Sequence, residues 1–229
     1  MPTFVLVHGA WHGAWCWDRV TPLLTAAGHR VTTPTLSGLG ERRNDPPGHV
    51  RLDTHIAGIV DHLWFHDLTG VVLVAHSYAG FVAGGVVARA SERIARLVLL
   101  DGFVPRTDEA MTHHIGDRGP AYRAEAERDP DWRIPPAPLA ALGVTDQADV
   151  AWAEPRLTAQ PVRTYLEPVG PVDLEVVADR LYIACTAPAL PVLDESRARV
   201  RAAGWRVEEV AAGHDAMVTH PREIAHLVM

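Results

Sequence analysis

Three short stretches hold residue types that together can carry out nucleophilic acyl transfer. In "VLVAHSYAGF" (72–81) an apolar run reaches Ser77 and passes at once into small residues. A serine hydroxyl is almost fully protonated at neutral pH, so as a nucleophile it needs a base beside it. The imidazole best placed for that task is His214 in "AAGHDAMVTHP" (211–221), after one apolar run and before the last helical pattern. The third stretch, "LVHGAWHGAWCW" (6–17), is a glycine-containing turn directly after the first apolar run. Such a turn can aim a backbone N–H at a developing oxyanion, with a second N–H from the residue after the nucleophile. The expected donors are Ala10 and Tyr78. Alone, Ser77 would fit equally an N-cap of the following helix; the turn and His214 favour the nucleophile.

A serine that leaves a strand and enters a helix without a loop needs a sharp, strained turn, with small residues two places before and after it. Ala75 and Ala79 fill those places, and Gly80 and Gly84 relax the packing just beyond. Further elements must hold this turn in place. Apolar, β-rich runs predict strands at 3–7, in "HRVTTP", at 70–75, within 94–105, at 180–185 and in "WRVEEV". Helices are expected up to Gly28, over "DTHIAGIVDHLWFH" with Asp53 as N-cap, after Ser77, around 194–203 and after Pro221. Continuous apolar strands alternating with helices predict an α/β fold, a mostly parallel sheet covered on both faces. From 105 to 176 proline, charge and scattered aromatics replace that alternation. The expected organisation is therefore a core of 1–104 and 177–229 interrupted by a cap insertion at 105–176.

The chain has 229 residues and a net charge of −7, and all 21 basic residues are arginine. That length suits one domain with an insertion, and mild acidity argues against nucleic acid or an anionic membrane as partner. Cys16 and Cys185 are too few for a disulfide framework and read as buried thiols in a reducing cytoplasm. No leader or membrane span is expected from the pattern. The partner is a small-molecule substrate; the oligomeric state is left open, with a homodimer as one option.

"LVHGAWHGAWCW", "AHSYAG" and "GHDAMVTHP" resemble the α/β-hydrolase superfamily, and within it the branch of plant methyl-ester esterases, hydroxynitrile lyases and bacterial esterase relatives. The resemblance implies an α/β-hydrolase fold with a small cap and no cofactor or metal. The lyases of this branch carry a threonine beside the oxyanion turn and a lysine after the histidine. Gly9 and Asp215 stand at those positions, and the chain has no lysine, so the esterase side matches better.

A triad also needs a carboxylate to orient the imidazole. In this branch it follows the strand matching "RLYIAC", in a loop resembling "CTxDxALP"; here that loop reads "CTAPALP" (185–191) and has no acid. Asp101, after "RLVLL", is preferred over Asp194, which would serve as a helix cap, and a site without an acid is the third option. Trp11, Tyr78, Phe103, Trp132 and Trp152 are expected to line the pocket. His113 and His114 are expected to face solvent, as are His220 and His226. The implied reaction is hydrolysis of an apolar or aromatic carboxylic ester, such as a methyl or polyketide-like ester, through an acyl-enzyme on Ser77. A cyclase or lyase using His214 as base, and a binding module without turnover, are the alternatives.

Overall fold

The computed structural model describes residues 1–129 and 131–229. In chain order its elements are β1 (Thr3–Val7), α1 (Thr21–Ala26), β2 (Arg30–Thr32), α2 (Leu52–Phe65), β3 (Val71–His76), α3 (Ala79–Ala90) and β4 (Ile94–Leu100). Then come α4 (Arg118–Arg128), β5 (Arg133–Ile134), α5 (Gln147–Ala153), β6 (Gln160–Pro161) and α6 (Arg163–Leu166). The chain closes with β7 (Asp179–Cys185), α7 (Asp194–Ala202), β8 (Arg206–Val210), α8 (Ala216–Thr219) and α9 (Pro221–Val228).

Six strands form one sheet in the order β2-β1-β3-β4-β7-β8, with every neighbouring pair parallel. The reason is legible in β3, where every residue is buried. Side chains alternate between the faces of a strand, so an unbroken apolar run needs cover on both. Val5, Leu73, Ala75 and Leu99 join one core with α2 and α3, while Leu6, Val72, Val74 and Val98 join a second with α1 and α9. The central strands therefore present their C-terminal ends, with Ser77 and Asp101 just beyond, at one edge of a rigid layer.

Two helix boundaries differ from expectation. The run up to Gly28 breaks into a 3₁₀ turn (Ala14–Trp17) and α1, which has a proline in its first turn. Pro22 lacks an N–H and cannot extend a helix from the preceding turn, but it suits a helix start. Gly28 follows the helix end at a φ of 88°. Asp53 is not the N-cap of α2, because that position falls to Arg51. The Thr54 hydroxyl accepts the Arg51 backbone N–H at 3.1 Å, and Asp53 instead pairs with Arg89.

Within 105–176 the regular elements are α4, α5, α6 and the antiparallel pair β5-β6. Met111, Arg118 and Tyr165 from this segment wall the same cavity as Ser77 and His214. His114 departs from its expected exposure. It is buried, its ring lies against Phe81 and Phe103, and its Nε2 is 3.0 Å from Glu109. Its position on an apolar shelf with an anionic partner could not be read from a polar-looking stretch.

Candidate active site

Ser77 has a φ of 56°, in the left-handed region that a residue with a β-carbon avoids. Its conformation is held from several sides: the Ser77 N–H donates to Leu100 O at 3.2 Å, and the Ser77 carbonyl accepts from Gly80 and Phe103 at 3.0 Å each. The helix start is then so close to the 101–103 segment that a Cβ on Gly80 would lie 1.9 Å from the Phe103 carbonyl oxygen. Glycine is required there.

From this turn a chain of hydrogen bonds runs inward. The Ser77 hydroxyl lies 2.8 Å from His214 Nε2, and His214 Nδ1 lies 2.7 Å from Asp101 Oδ2. Asp101 also has a left-handed φ, 41°, and its N–H donates to Ile183 O at 2.7 Å. Its second oxygen, Oδ1, accepts from Arg197 Nη2 at 3.0 Å and from the Cys185 N–H at 3.2 Å. Burial alone would push the Asp101 carboxyl up; its bonds to His214 and Arg197 outweigh that and hold it below its ordinary value. Of the two candidate acids, the structure brings Asp101 to the imidazole. Asp194 opens α7 with an exposed side chain that pairs with Arg197 at 3.0 Å.

Arg197 is the partner that sequence reading missed. It lies on α7 beside Ser196, whose Oγ accepts the Val104 N–H at 3.0 Å, and Arg199, which grips the Val104 carbonyl at 2.6 Å and Glu109. One helix therefore clamps the segment that carries Asp101. The only sequence signal was an i, i+3 Asp194–Arg197 spacing, which reads as a surface pair.

Beneath the imidazole is a second set of buried groups. His76 donates from Nε2 to the His214 carbonyl at 3.0 Å, and its ring centroid is 4.6 Å from that of His214. Burial lowers the His76 pKa to about 3, so the ring is neutral. His12 bridges the turn after β1 to the residue after His214: Nδ1 donates to Ala10 O at 2.6 Å and Nε2 to Asp215 Oδ2 at 3.1 Å. Both partners are acceptors, which requires both ring protons. Burial opposes that charge on His12, but the Asp215 carboxylate outweighs burial and raises the imidazole above its ordinary value. His76, His214 and Asp215 also place ligand-type atoms within 4.8 Å of one another. Both ring nitrogens of His214, His76 Nε2 and Asp215 Oδ2 are engaged by Ser77, Asp101, the His214 carbonyl and His12, while His76 Nδ1 and Asp215 Oδ1 have no hydrogen-bond partner among the described residues.

The backbone amides of Ala10 and Tyr78 donate to no group among the described residues. Both stand beside Ser77, one in the turn after β1 and one at the N-cap of α3. Gly9 is forced by this proximity. A Cβ there would be 2.8 Å from His76 Nδ1 and 2.9 Å from Ser77 Cβ, leaving no room for a threonine.

The cavity over Ser77 and His214 has a volume of about 140 Å³ and a mainly apolar wall, to which Trp11, Phe103, Met111 and Leu190 contribute. Trp11 and Phe103 thus stand where expected, and three other aromatics do not. Trp132 packs on Tyr122 with centroids 5.6 Å apart, and Trp152 packs on Trp15 at 5.3 Å beneath the Arg19 guanidinium. The Tyr78 side chain turns into the core, where its hydroxyl meets His55 Nδ1 at 3.0 Å. Aromatic content marks packing as often as it marks a pocket.

This sheet and this constellation define an α/β hydrolase. The chain belongs to the alpha/beta hydrolase family, which it matches over residues 4–227. A Nocardioides sp. (strain SG-4G) protein named carbendazim hydrolyzing esterase is 34% identical over 98% of this chain and 97% of its own length. Methylesterase 1 of Arabidopsis thaliana is 39% identical over 54% of this chain and 48% of its own. An extracellular alpha/beta-hydrolase from a Paenibacillus species superposes with a TM-score of 0.83 at 23% identity, over 99% of this chain and 97% of that one. The expected assignment to the carboxylic ester hydrolases agrees with the names of these relatives. No helix among the described residues is long and apolar enough to cross a membrane.

Proposed function

We propose that the protein hydrolyses a small carboxylic ester through an acyl-enzyme on Ser77. The observation that carries this is the hydrogen-bonded chain from Ser77 through His214 to Asp101, at 2.8 and 2.7 Å, next to two undonated backbone amides. His214 Nε2 takes the hydroxyl proton as Ser77 Oγ attacks the ester carbonyl, and the Ala10 and Tyr78 N–H groups hold the oxyanion. Asp101 fixes the Nδ1–H tautomer and stabilises the imidazolium. His214 then protonates the departing alcohol, and water, activated by the same imidazole, releases the acid. Residues 105–176 act as a cap that shields these steps.

A cavity near 140 Å³ suits one ring or a short chain, since an engineered cavity of about 150 Å³ holds benzene. A single-ring or short-chain methyl ester is therefore favoured over a polyketide-like group. The lyase reading loses support from the crowding at Gly9 and from Asp215 after the base. Hydrolysis of p-nitrophenyl acetate by Ser77→Ala is the test. The variant should retain less than about a thousandth of the wild-type kcat, given the scale of triad deletions. Wild-type turnover by the variant would sink the reading.

A further inference from the structure

The cavity wall contributed by α4 and α6 holds a set of hydrogen-bond donors that ester hydrolysis does not use. Arg118 and Tyr122 both line the cavity and lie four residues apart, which puts them on one face of α4. Arg118 is exposed and makes no hydrogen bond or ion pair among the described residues, whereas Arg123 on the same helix is held by Thr112 at 2.9 Å. Tyr165 faces them from α6. It is only 4% exposed and its ring stacks on Tyr78 with centroids 5.5 Å apart, yet its hydroxyl has no hydrogen-bond partner among the described residues. The hydroxyl oxygen is not sealed within the core, and because Tyr165 lines the cavity it is free to donate to a molecule bound there.

All these groups donate at neutral pH. A guanidinium has no acceptor atom, and burial pushes the Tyr165 phenol up, so it keeps its proton. The complementary group is an acceptor with several lone pairs and a negative charge. A carboxylate has both properties.

We propose that this wall binds a carboxylate carried by the substrate in addition to its scissile ester, making the preferred substrate class the monoesters of dicarboxylic acids. The ester carbonyl is directed to Ala10 and Tyr78, and the free carboxylate to Arg118, Tyr122 and Tyr165. The inference rests on the ester-hydrolase reading for its chemistry, and on the α4 and α6 wall for its specificity.

The test compares kcat/KM for monomethyl esters of linear dicarboxylic acids with that for methyl esters of monocarboxylic acids of equal chain length. It uses wild type, Arg118→Met and Arg118→Lys. At the best-fitting length the anionic ester should be preferred roughly tenfold by wild type, the scale of one charge-assisted hydrogen bond. Arg118→Met should bring that ratio to about one, and Arg118→Lys should keep part of it. A ratio of one or less at every length in wild type, or one that Arg118→Met leaves in place, overturns the proposal. Calorimetric binding of the same half-esters to Ser77→Ala and to Ser77→Ala with Arg118→Met separates the two layers. If wild type turns over no ester but binding depends on Arg118, the hydrolase reading fails and the carboxylate site stands. Binding indifferent to Arg118 removes the site.

Discussion

Mild acid should destabilise this protein through imidazoles, well above the range in which carboxylates protonate. His8, His55 and His76 are buried, and burial lowers them to about 3, 4 and 3 respectively. At His8 the bonds also require a neutral ring, since Nδ1 donates to Gly9 O and Nε2 accepts the Leu36 N–H, whereas His55 and His76 donate to carbonyls and are kept neutral by burial. Unfolded, each would titrate near 6.5. Between the folded and unfolded values the unfolded chain binds more protons, so stability falls as the pH falls below 6.5. At pH 5.5, one unit below the unfolded value, each ring costs about 1.4 kcal/mol relative to neutral pH, or about 4 kcal/mol for the three. That figure is insensitive to the folded values, all of which lie well below 5.5. His12 works in the opposite sense. Its folded value is raised, so its contribution is complete below the unfolded pKa and fades as the pH rises through the raised value, offsetting part of the loss. A loss approaching that sum is a large share of the 5–15 kcal/mol typical of a domain. Urea unfolding followed by circular dichroism at pH 7.5 and 5.5 measures it, and His55→Gln should shrink the difference by about 1.4 kcal/mol. Equal stabilities at the two pH values, or an unchanged difference in His55→Gln, would refute the reasoning.

Three substitutions probe the site directly. Asp101→Asn should lower kcat by on the order of 10⁴ because an amide cannot hold the productive tautomer, whereas Asp194→Asn, exposed and off the imidazole, should change it less than about twofold; similar losses from both would refute the assignment of the acid. Gly9→Thr should lower kcat on p-nitrophenyl acetate by about a hundredfold, because its Cβ must displace His76 or Ser77, and a variant with wild-type kcat would show that the turn yields.

The sheet was legible because its strands are continuous apolar runs, a pattern that only two-sided burial satisfies. The elbow and the base were legible because their local chemistry is unusual: a serine between small residues at a strand end, and a histidine after a strand. Asp101 could be preferred over Asp194, with a site lacking an acid left open, but not settled, since the pairing is a contact across 113 positions of sequence. Arg197, His12 and Asp215 were not legible as partners for the same reason. The pocket aromatics failed differently. Trp132 packs against the main core and Trp152 against Trp15, and within 105–176 no period in the sequence distinguishes a face turned to the cavity from one turned elsewhere. Arg118 passed unnoticed because an arginine in a polar stretch reads as solvated surface.

With Asp101 reaching His214 from the end of β4, the loop after β7 supplies no side chain to that contact and meets it only through backbone, where the Cys185 N–H bonds Asp101 and the Leu190 carbonyl accepts from Arg197. Its start is pinned by the Thr186 and Ala187 N–H bonds to Val210 and Ala212, and its later residues, Leu190 and Val192, form cavity wall. That loop is thus a natural dial for evolvability. Point changes or short insertions at 187–192 can remodel the fit of the leaving group or acyl chain while the proton-transfer apparatus, anchored on other strands, is inherited intact. A directed-evolution library confined to those positions would be expected to yield new selectivities at little risk to turnover.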